Sequence, residues 1–260
     1  MPEPTALTPL PHGTQPVIRH GPQAVVYHIP TSSPSPTHPT LKTTISLPVH
    51  STWTSGLHFH TQHTEYLRLL KGSIFVYLDG EVQILSAKAG GLVCLGGHGD
   101  GKSGLQLTVE KYARHEWGRA KEYLAPRISG GKVSSSWPED IDDDVVVEEW
   151  TDPVDIGKAL FFWNLNGIIL TPNSAKLSPL ERLARYLLGD YWISFQLFSV
   201  FWCLDNWPVF FSLKGGLGEQ GITMAVLGFM RLVGWIIGVK AVESRRTPWK
   251  LWKAYEEIAA

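Results

Sequence analysis

Seven short segments between residues 42 and 117 repeat one pattern, and that pattern limits the fold more than any other feature of the chain. TTISLPV (43–49), GLHFH (56–60), EYLRLL (65–70), SIFVYL (73–78), EVQIL (81–85), GLVCL (91–95) and LQLTVEKY (105–112) alternate aromatic and β-branched residues with polar ones. Successive side chains of a strand point to opposite faces, so a period of two marks half-buried β-structure. Turn chemistry separates the segments: LDGE at 78–81 carries the Asp-Gly pair of a tight hairpin, and KG at 71–72 and AGG at 89–91 supply further glycines. Several short strands with regular turns form a sandwich or barrel. AVVYHI (24–29) adds a strand before this set, and VVVEEW (145–150) adds one after it.

The stretches outside these segments sort by composition. Residues 1–22 and TSSPSPTHPT (31–40) are rich in Pro, Ser and Thr and read as a flexible N-terminal arm and a loop. GGHGDGKSG (96–104) is too polar and glycine-rich for a strand and reads as a loop excursion. Residues 96–103 carry the letters GxxxxGK[ST] of a loop that cradles a nucleotide phosphate, but the strand-like LQLTVEKY follows where that loop requires a helix, so a nucleotide role is not expected. WPEDIDDD (137–144) reads as a solvated acidic bend. From Pro153 the periodicity becomes helical. DIGKALFFWNLNGIIL (155–170) spaces its apolar residues as a helix does, and SPLERLARYLL (178–188) opens with a Ser N-cap, Pro at the first helical position and Glu at the third. The expected fold is mainly β with α: the arm over 1–22, the β-domain over 23–152, and a helical, apolar region over 153–260.

Composition narrows the function classes. With 260 residues, 43% of them hydrophobic, the chain can build a core, and a formal charge of −1 leaves no basic field for nucleic-acid phosphates. Cys94 and Cys203 form neither a disulfide framework nor a CxxC zinc pattern, which fits a reducing cytoplasmic setting. The opening residues MPEPTALTPLPHGTQP lack the basic and apolar regions of a secretory signal, so secretion is not expected.

Inside the β pattern, GLHFHTQHTEY (56–66) holds His58, His60, His63 and Glu65 within eight positions. On one strand His58 and His60 share a face, roughly 7 Å apart along the backbone, and two nitrogens on one face can chelate. Glu65 lies an odd number of residues from His60, so a turn or bulge between Thr61 and Thr64 is needed to bring its carboxylate to the same place. His63 shares the parity of Glu65 and is either a further ligand or a rim residue bonded to backbone.

The spacing HxH, four residues, Glu65, six residues, Gly72 resembles the first motif of the cupin superfamily. The resemblance covers about residues 42–119 and implies a single jelly-roll barrel in which two His and a Glu, with a third His from a later strand, bind a divalent metal. His115 in EKYARHEW matches the later position, with an aromatic residue two further on, and His98 is the competing position. The chain departs from the family pattern at Thr52, where the motif has glycine, and it lacks the Pro-x-Gly and terminal Asn of the second motif. The implied ligand set is His58, His60, Glu65 and His115. Three neutral imidazoles and one carboxylate suit Fe, Mn, Zn, Ni or Cu, and on an octahedral ion they leave two positions for substrate. Tyr66, Arg68, Tyr77 and Glu116 are candidates for pocket positions, and no second carboxylate stands out as an independent catalytic group. A homodimer is a further implication of the family.

Two strongly apolar segments follow, 191–213 and 222–240. Asp205, Asn206 and Pro208 interrupt the first, and Arg231 is the one charge inside the second, which ends at Lys240. Trp192, Trp202, Trp207 and Trp235, with the basic cluster KAVESRRTPWKLWK (240–253), suit an anionic membrane interface. Residues 191–240 are expected to contact a membrane at its cytoplasmic face, to span it, or to pack as soluble helices. The succession of barrel, EEWTDP, FFWNLN and LDNWPV looks like a group of fungal cupin-domain proteins that accompany secondary-metabolite enzymes. That resemblance implies a metal-dependent oxidoreductase acting on a hydrophobic small molecule. An isomerase or cyclase, or a non-catalytic membrane-associated carrier of a lipophilic ligand, is the alternative.

Overall fold

Polar groups left over from a strand must be paired or covered, and the chain meets this demand with two antiparallel sheets. A computed structural model describes residues 3–36, 39–93, 104–129, 137–171, 177–211 and 217–259. It divides into two units, one made of Met1–Pro30 and Thr40–Val154, the other of Thr31–Pro39 and Asp155–Ala260.

The first unit is β-rich. Its strands are β1 (Thr14–Arg19), β2 (Val25–Pro30), β3 (Thr43–Leu47), β4 (His58–Phe59), β5 (Thr64–Lys71), β6 (Ser73–Leu78), β7 (Glu81–Ser86), β8 (Gly91–Val93), β9 (Gln106–Val109), β10 (His115–Arg119) and β11 (Val145–Asp152). One sheet has the order β1-β2-β3-β11-β5-β9 and the other runs β4-β10-β6-β7-β8. Close polar contacts between inward side chains of β10 and those of β5 and β11 join the two sheets, giving the double-sheet, jelly-roll class of mainly β fold that was expected. The interior is filled by Ile45, Leu47, Phe59, Leu67, Leu69, Ile74, Val145 and Val147, all nearly inaccessible.

Several local expectations change. The arm expected over 1–22 contains β1, paired with β2 along its whole length. Pro16 is accommodated there because β1 is an edge strand, where a missing N–H can face away from the ladder. The Leu7 amide donates to His28 Nε2 at 3.0 Å and ties the residues before β1 to the sheet as well. The acidic bend is not wholly solvated: Asp140 is 1% exposed and accepts hydrogen bonds from Ser73 Oγ, Ser86 Oγ (2.7 Å) and the Lys88 amide (3.0 Å). Burial alone would raise its carboxyl, but these donors outweigh burial and hold it below the ordinary carboxylate range. Helix α1 (Ala120–Ser129) follows β10 directly and packs Ala120 and Leu124 against Phe75, Ile84 and Ile141. The excursion over 96–104, with His98, lies outside the described residues except for Gly104.

Gly72 closes the β5–β6 turn with φ of +76°, a left-handed conformation, and a Cβ there would lie 2.5 Å from the Asp144 carbonyl oxygen. Glycine is required at this point both by the backbone angle and by the approach of the segment entering β11.

The second unit is helical. It contains α2 (Gly157–Leu170), α3 (Pro179–Leu188), α4 (Tyr191–Cys203), α5 (Leu217–Ile237) and α6 (Trp249–Ala259). Helix α3 begins with the capping box read from the sequence: Ser178 Oγ accepts from the Glu181 amide, and Glu181 accepts from the Ser178 amide at 2.8 Å. Trp192, Phe195 and Val239 form a core joined by Ala184, Leu188, Met230, Val233 and Ile237. Asn164 is buried and acts as a hub, accepting from the Glu243 amide (3.0 Å) and donating to Thr247 Oγ1 (3.2 Å). Helix α4, at 13 residues, rises about 20 Å, short of the hydrocarbon thickness. Among the described residues one helix is long and apolar enough to cross a membrane, over Gly218–Ile237 with a mean hydropathy of 1.5. Its outer side chains Phe229, Leu232, Trp235 and Ile236 are each more than half exposed. So are Leu180, Leu183, Tyr186 and Leu187 of α3.

Candidate metal centre

His58 lies directly across from His115 in the β4–β10 ladder, which makes the two imidazoles cross-strand neighbours with ring centroids 4.0 Å apart. His60 follows β4, and the chain then crosses to the other sheet to enter β5 at Thr64. That crossing is the break in parity required between Thr61 and Thr64, and it lets Glu65 approach the imidazoles from the opposite sheet. On β5 the buried residues Glu65, Leu67 and Leu69 alternate with Tyr66, Arg68 and Leu70.

His58, His60, Glu65 and His115 are 6%, 4%, 1% and 0% exposed, and their ligand atoms all lie within 4.8 Å of one another. His63 is half-buried and stands outside this group. Glu65 Oε2 is 2.7 Å from His115 Nε2 and 3.4 Å from His60 Nε2.

Ring orientation decides what these atoms offer. His58 Nδ1 faces the Gly56 carbonyl at 2.8 Å and His115 Nδ1 faces the Ala113 carbonyl at 3.1 Å. A carbonyl oxygen only accepts, so each Nδ1 carries the hydrogen, and each neutral ring turns a bare Nε2 lone pair toward the centre. Burial pushes the His115 imidazole down to about 4, against the opposing influence of the Ala113 carbonyl and of Asp79, so at neutral pH it is uncharged. A bare imidazole nitrogen 2.7 Å from a carboxylate oxygen is repulsive unless positive charge lies between them. A proton or a metal ion meets that need, and the borderline N₃O donor set fits a first-row transition ion.

The pocket candidates fall elsewhere. Tyr66 stacks on Trp150 with centroids 5.5 Å apart, Arg68 is exposed, and Glu116 accepts from Thr54 Oγ1 at 2.6 Å. Tyr77 pairs with Glu116 across β6 and β10. All four alternate with the inward residues of their strands, so they sit on the faces turned away from the ligands.

A second interior carboxylate takes their place. Glu149 on β11 is 3% exposed and accepts a hydrogen bond from Trp117 Nε1 at 2.7 Å. Trp117 is two residues beyond His115, and Glu149 two residues before the Thr151 that pairs with Glu65, so this contact repeats the His115–Glu65 contact one layer along. Trp53 continues the layer, packed edge-on against Trp117 (4.9 Å) and Tyr27 (6.1 Å). Burial pushes the Glu149 carboxyl up to about 7, despite the Trp117 N–H, and pushes the Tyr27 hydroxyl up to about 12. The parity of Val145, Val147, Glu149 and Thr151 is the sequence signal that marks Glu149 as inward.

Comparison with protein-family models gives no match, and comparison with curated proteins gives none either. Solved structures give weak likenesses. KdgF from Halomonas sp. is 13% identical with a TM-score of 0.29, over 52% of this chain and 84% of its own. A predicted oxalate decarboxylase from Thermotoga maritima is 13% identical with a TM-score of 0.32, over 53% and 91%. A cupin 2 conserved barrel domain protein from Rhodopseudomonas palustris is 9% identical with a TM-score of 0.32, over 55% and 74%. At such scores the fold rests on the strand order and register described above.

Proposed function

We propose that this chain is a metal-dependent enzyme of cupin type, with His58, His60, Glu65 and His115 holding a divalent transition ion. The observation that carries the reading is the convergence of inward Nε2 lone pairs on a buried carboxylate, each ring of the His58–His115 pair fixed by a backbone carbonyl two residues earlier. Such outer partners fix the tautomer and the aim of a ligand before the ion arrives. When bound, the ion would supply either Lewis acidity or a redox centre for a hydrophobic small molecule.

The residues around the centre divide the remaining work. Leu67 and Leu69, buried on the same face of β5 as Glu65, make the interior beside that carboxylate apolar. Glu149 is a buried carboxyl poised near neutrality, one layer from the ligands, and is suited to holding or releasing a proton at Oε1 or Oε2. Oxidation of a lipophilic intermediate, as in secondary-metabolite biosynthesis, is the preferred reaction, with isomerisation or cyclisation as the alternative. The exposed apolar rows of α3 and α5 support delivery of such a substrate at the cytoplasmic face of a membrane.

Elemental analysis of the purified full-length chain tests the centre. About one transition ion per chain is expected, and His60→Ala should remove it while near-ultraviolet circular dichroism stays unchanged. Protein that neither carries nor takes up Fe(II), Mn(II), Zn(II), Ni(II) or Cu(II) would overturn the reading. Oxygen uptake with lipophilic candidate substrates then separates oxidation from isomerisation, and turnover-free retention of a ligand marks a carrier.

A further inference from the structure

A cavity of about 400 Å³ lies in the helical unit, between the C-terminal half of α5, residues 238–242 and α6. Trp235, Trp252 and Tyr255 line it together with Arg231 and Lys240. The buried Nη1 of Arg231 has no hydrogen-bond partner, and neither Arg231 nor Lys240 has an ion-pair partner, among the described residues. An arginine cannot shed its charge, so Arg231 and Lys240 give the cavity lining two cations, and an anion is the complementary occupant. The neighbouring charge favours the same occupant. Residues 231–253 carry Arg231, Lys240, Arg245, Arg246, Lys250 and Lys253 against one acid, Glu243. Glu243 is already engaged by Arg245 and Arg246, and the acids Glu256 and Glu257 come only toward the end of α6. Trp235 belongs both to this lining and to the exposed apolar row Phe229, Leu232, Trp235 and Ile236. The cationic cavity therefore opens beside a surface suited to acyl chains.

We propose that this cavity binds the phosphate-bearing headgroup of an anionic phospholipid at a bilayer surface, with Arg231 and Lys240 facing the phosphate and Trp235, Trp252 and Tyr255 flanking the glycerol and upper acyl region. The inference deepens the membrane-facing reading of the helical unit and is independent of the metal centre. It makes the contact selective for lipid charge rather than merely apolar, because an aromatic belt alone accepts any headgroup.

Co-sedimentation of the full-length chain with vesicles is the test. One set is pure phosphatidylcholine and the other contains about one quarter phosphatidylserine, at fixed ionic strength. The wild-type chain should partition at least tenfold more strongly to the anionic set. Lys240→Glu, at an exposed position, should cut that preference by roughly fivefold or more with an unchanged far-ultraviolet spectrum, and Arg231→Gln should do likewise. Phe229→Ser with Leu232→Ser should weaken binding to both sets. If wild-type and Lys240→Glu chains bind anionic vesicles equally, the headgroup site is overturned while the membrane-facing reading stands. If the wild-type chain binds neither set, both fall. Full displacement from anionic vesicles by millimolar inorganic phosphate would overturn the lipid as occupant and mark a phosphate site.

Discussion

Glu149 accepts a hydrogen bond from Trp117, yet burial still pushes its carboxyl from 4.5 up to about 7. The folded chain therefore holds this proton to a higher pH than the unfolded chain does. Its contribution to stability is fully present below about pH 4.5 and is lost as the pH rises through 7, on the order of 3 kcal/mol in all. His115 has the opposite sign: its imidazole is depressed from 6.5 to about 4, so its contribution is present above pH 6.5 and is lost as the pH falls toward 4. Glu149→Gln keeps the acceptor for Trp117 and removes the titration, and His115 is common to both proteins. Urea unfolding at pH 5 and pH 8 should show the variant gaining stability on the wild type at the higher pH by that order. An identical pH dependence in the two proteins would mean that Glu149 is solvated or already ionised.

At the scale of elements, the β5–β6 turn gives the most direct test of how the strands are set. Gly72→Ala places a methyl group against the Asp144 carbonyl in a left-handed backbone, and it should lose about 1–3 kcal/mol in chemical denaturation with an unchanged far-ultraviolet spectrum. A loss below about 0.5 kcal/mol would show that the entry to β11 is free to move aside. The strands around this turn were legible because one buried face per strand writes a period of two into the sequence. The clustering of the four candidate residues was legible for a related reason: HxH places two imidazoles on one face, and Gly72 marks the turn after Glu65. What escaped notice depends on partners distant in sequence. Asp140 reads as one acid among several until Ser73, Ser86 and Lys88 are brought to it from β6, β7 and the turn beyond. Strand β1 hides behind Pro16 because only an edge position tolerates it. Helix α1 carries Pro126 inside it, which masks the helical signal. Glu149 was hidden by its neighbour Glu148, which faces outward to Lys42 at 3.0 Å and makes the pair look like solvated charge.

At the scale of the whole molecule, the residues of the candidate metal centre are brought together from two different sheets. His58 and His115 belong to one sheet and Glu65 to the other, so a bound ion would fasten the β-unit across its interior. One layer along, Trp117 and Glu149 make a second fastening between the same sheets without any ion. Removing the metal with a chelator should therefore lower the melting temperature, by the linkage of an ion that binds only the folded form, about 3 kcal/mol at a hundredfold excess over Kd. The near-ultraviolet signal of Trp53 and Trp117 should survive at 25 °C, and its loss on chelation would show that the second fastening cannot hold alone. If the ion binds as proposed, the architecture has two rivets, one permanent and one removable, and the permanent one would let it fold before the ion arrives. On the proposed reading, the ion that the surroundings supply would then decide whether a folded molecule can act.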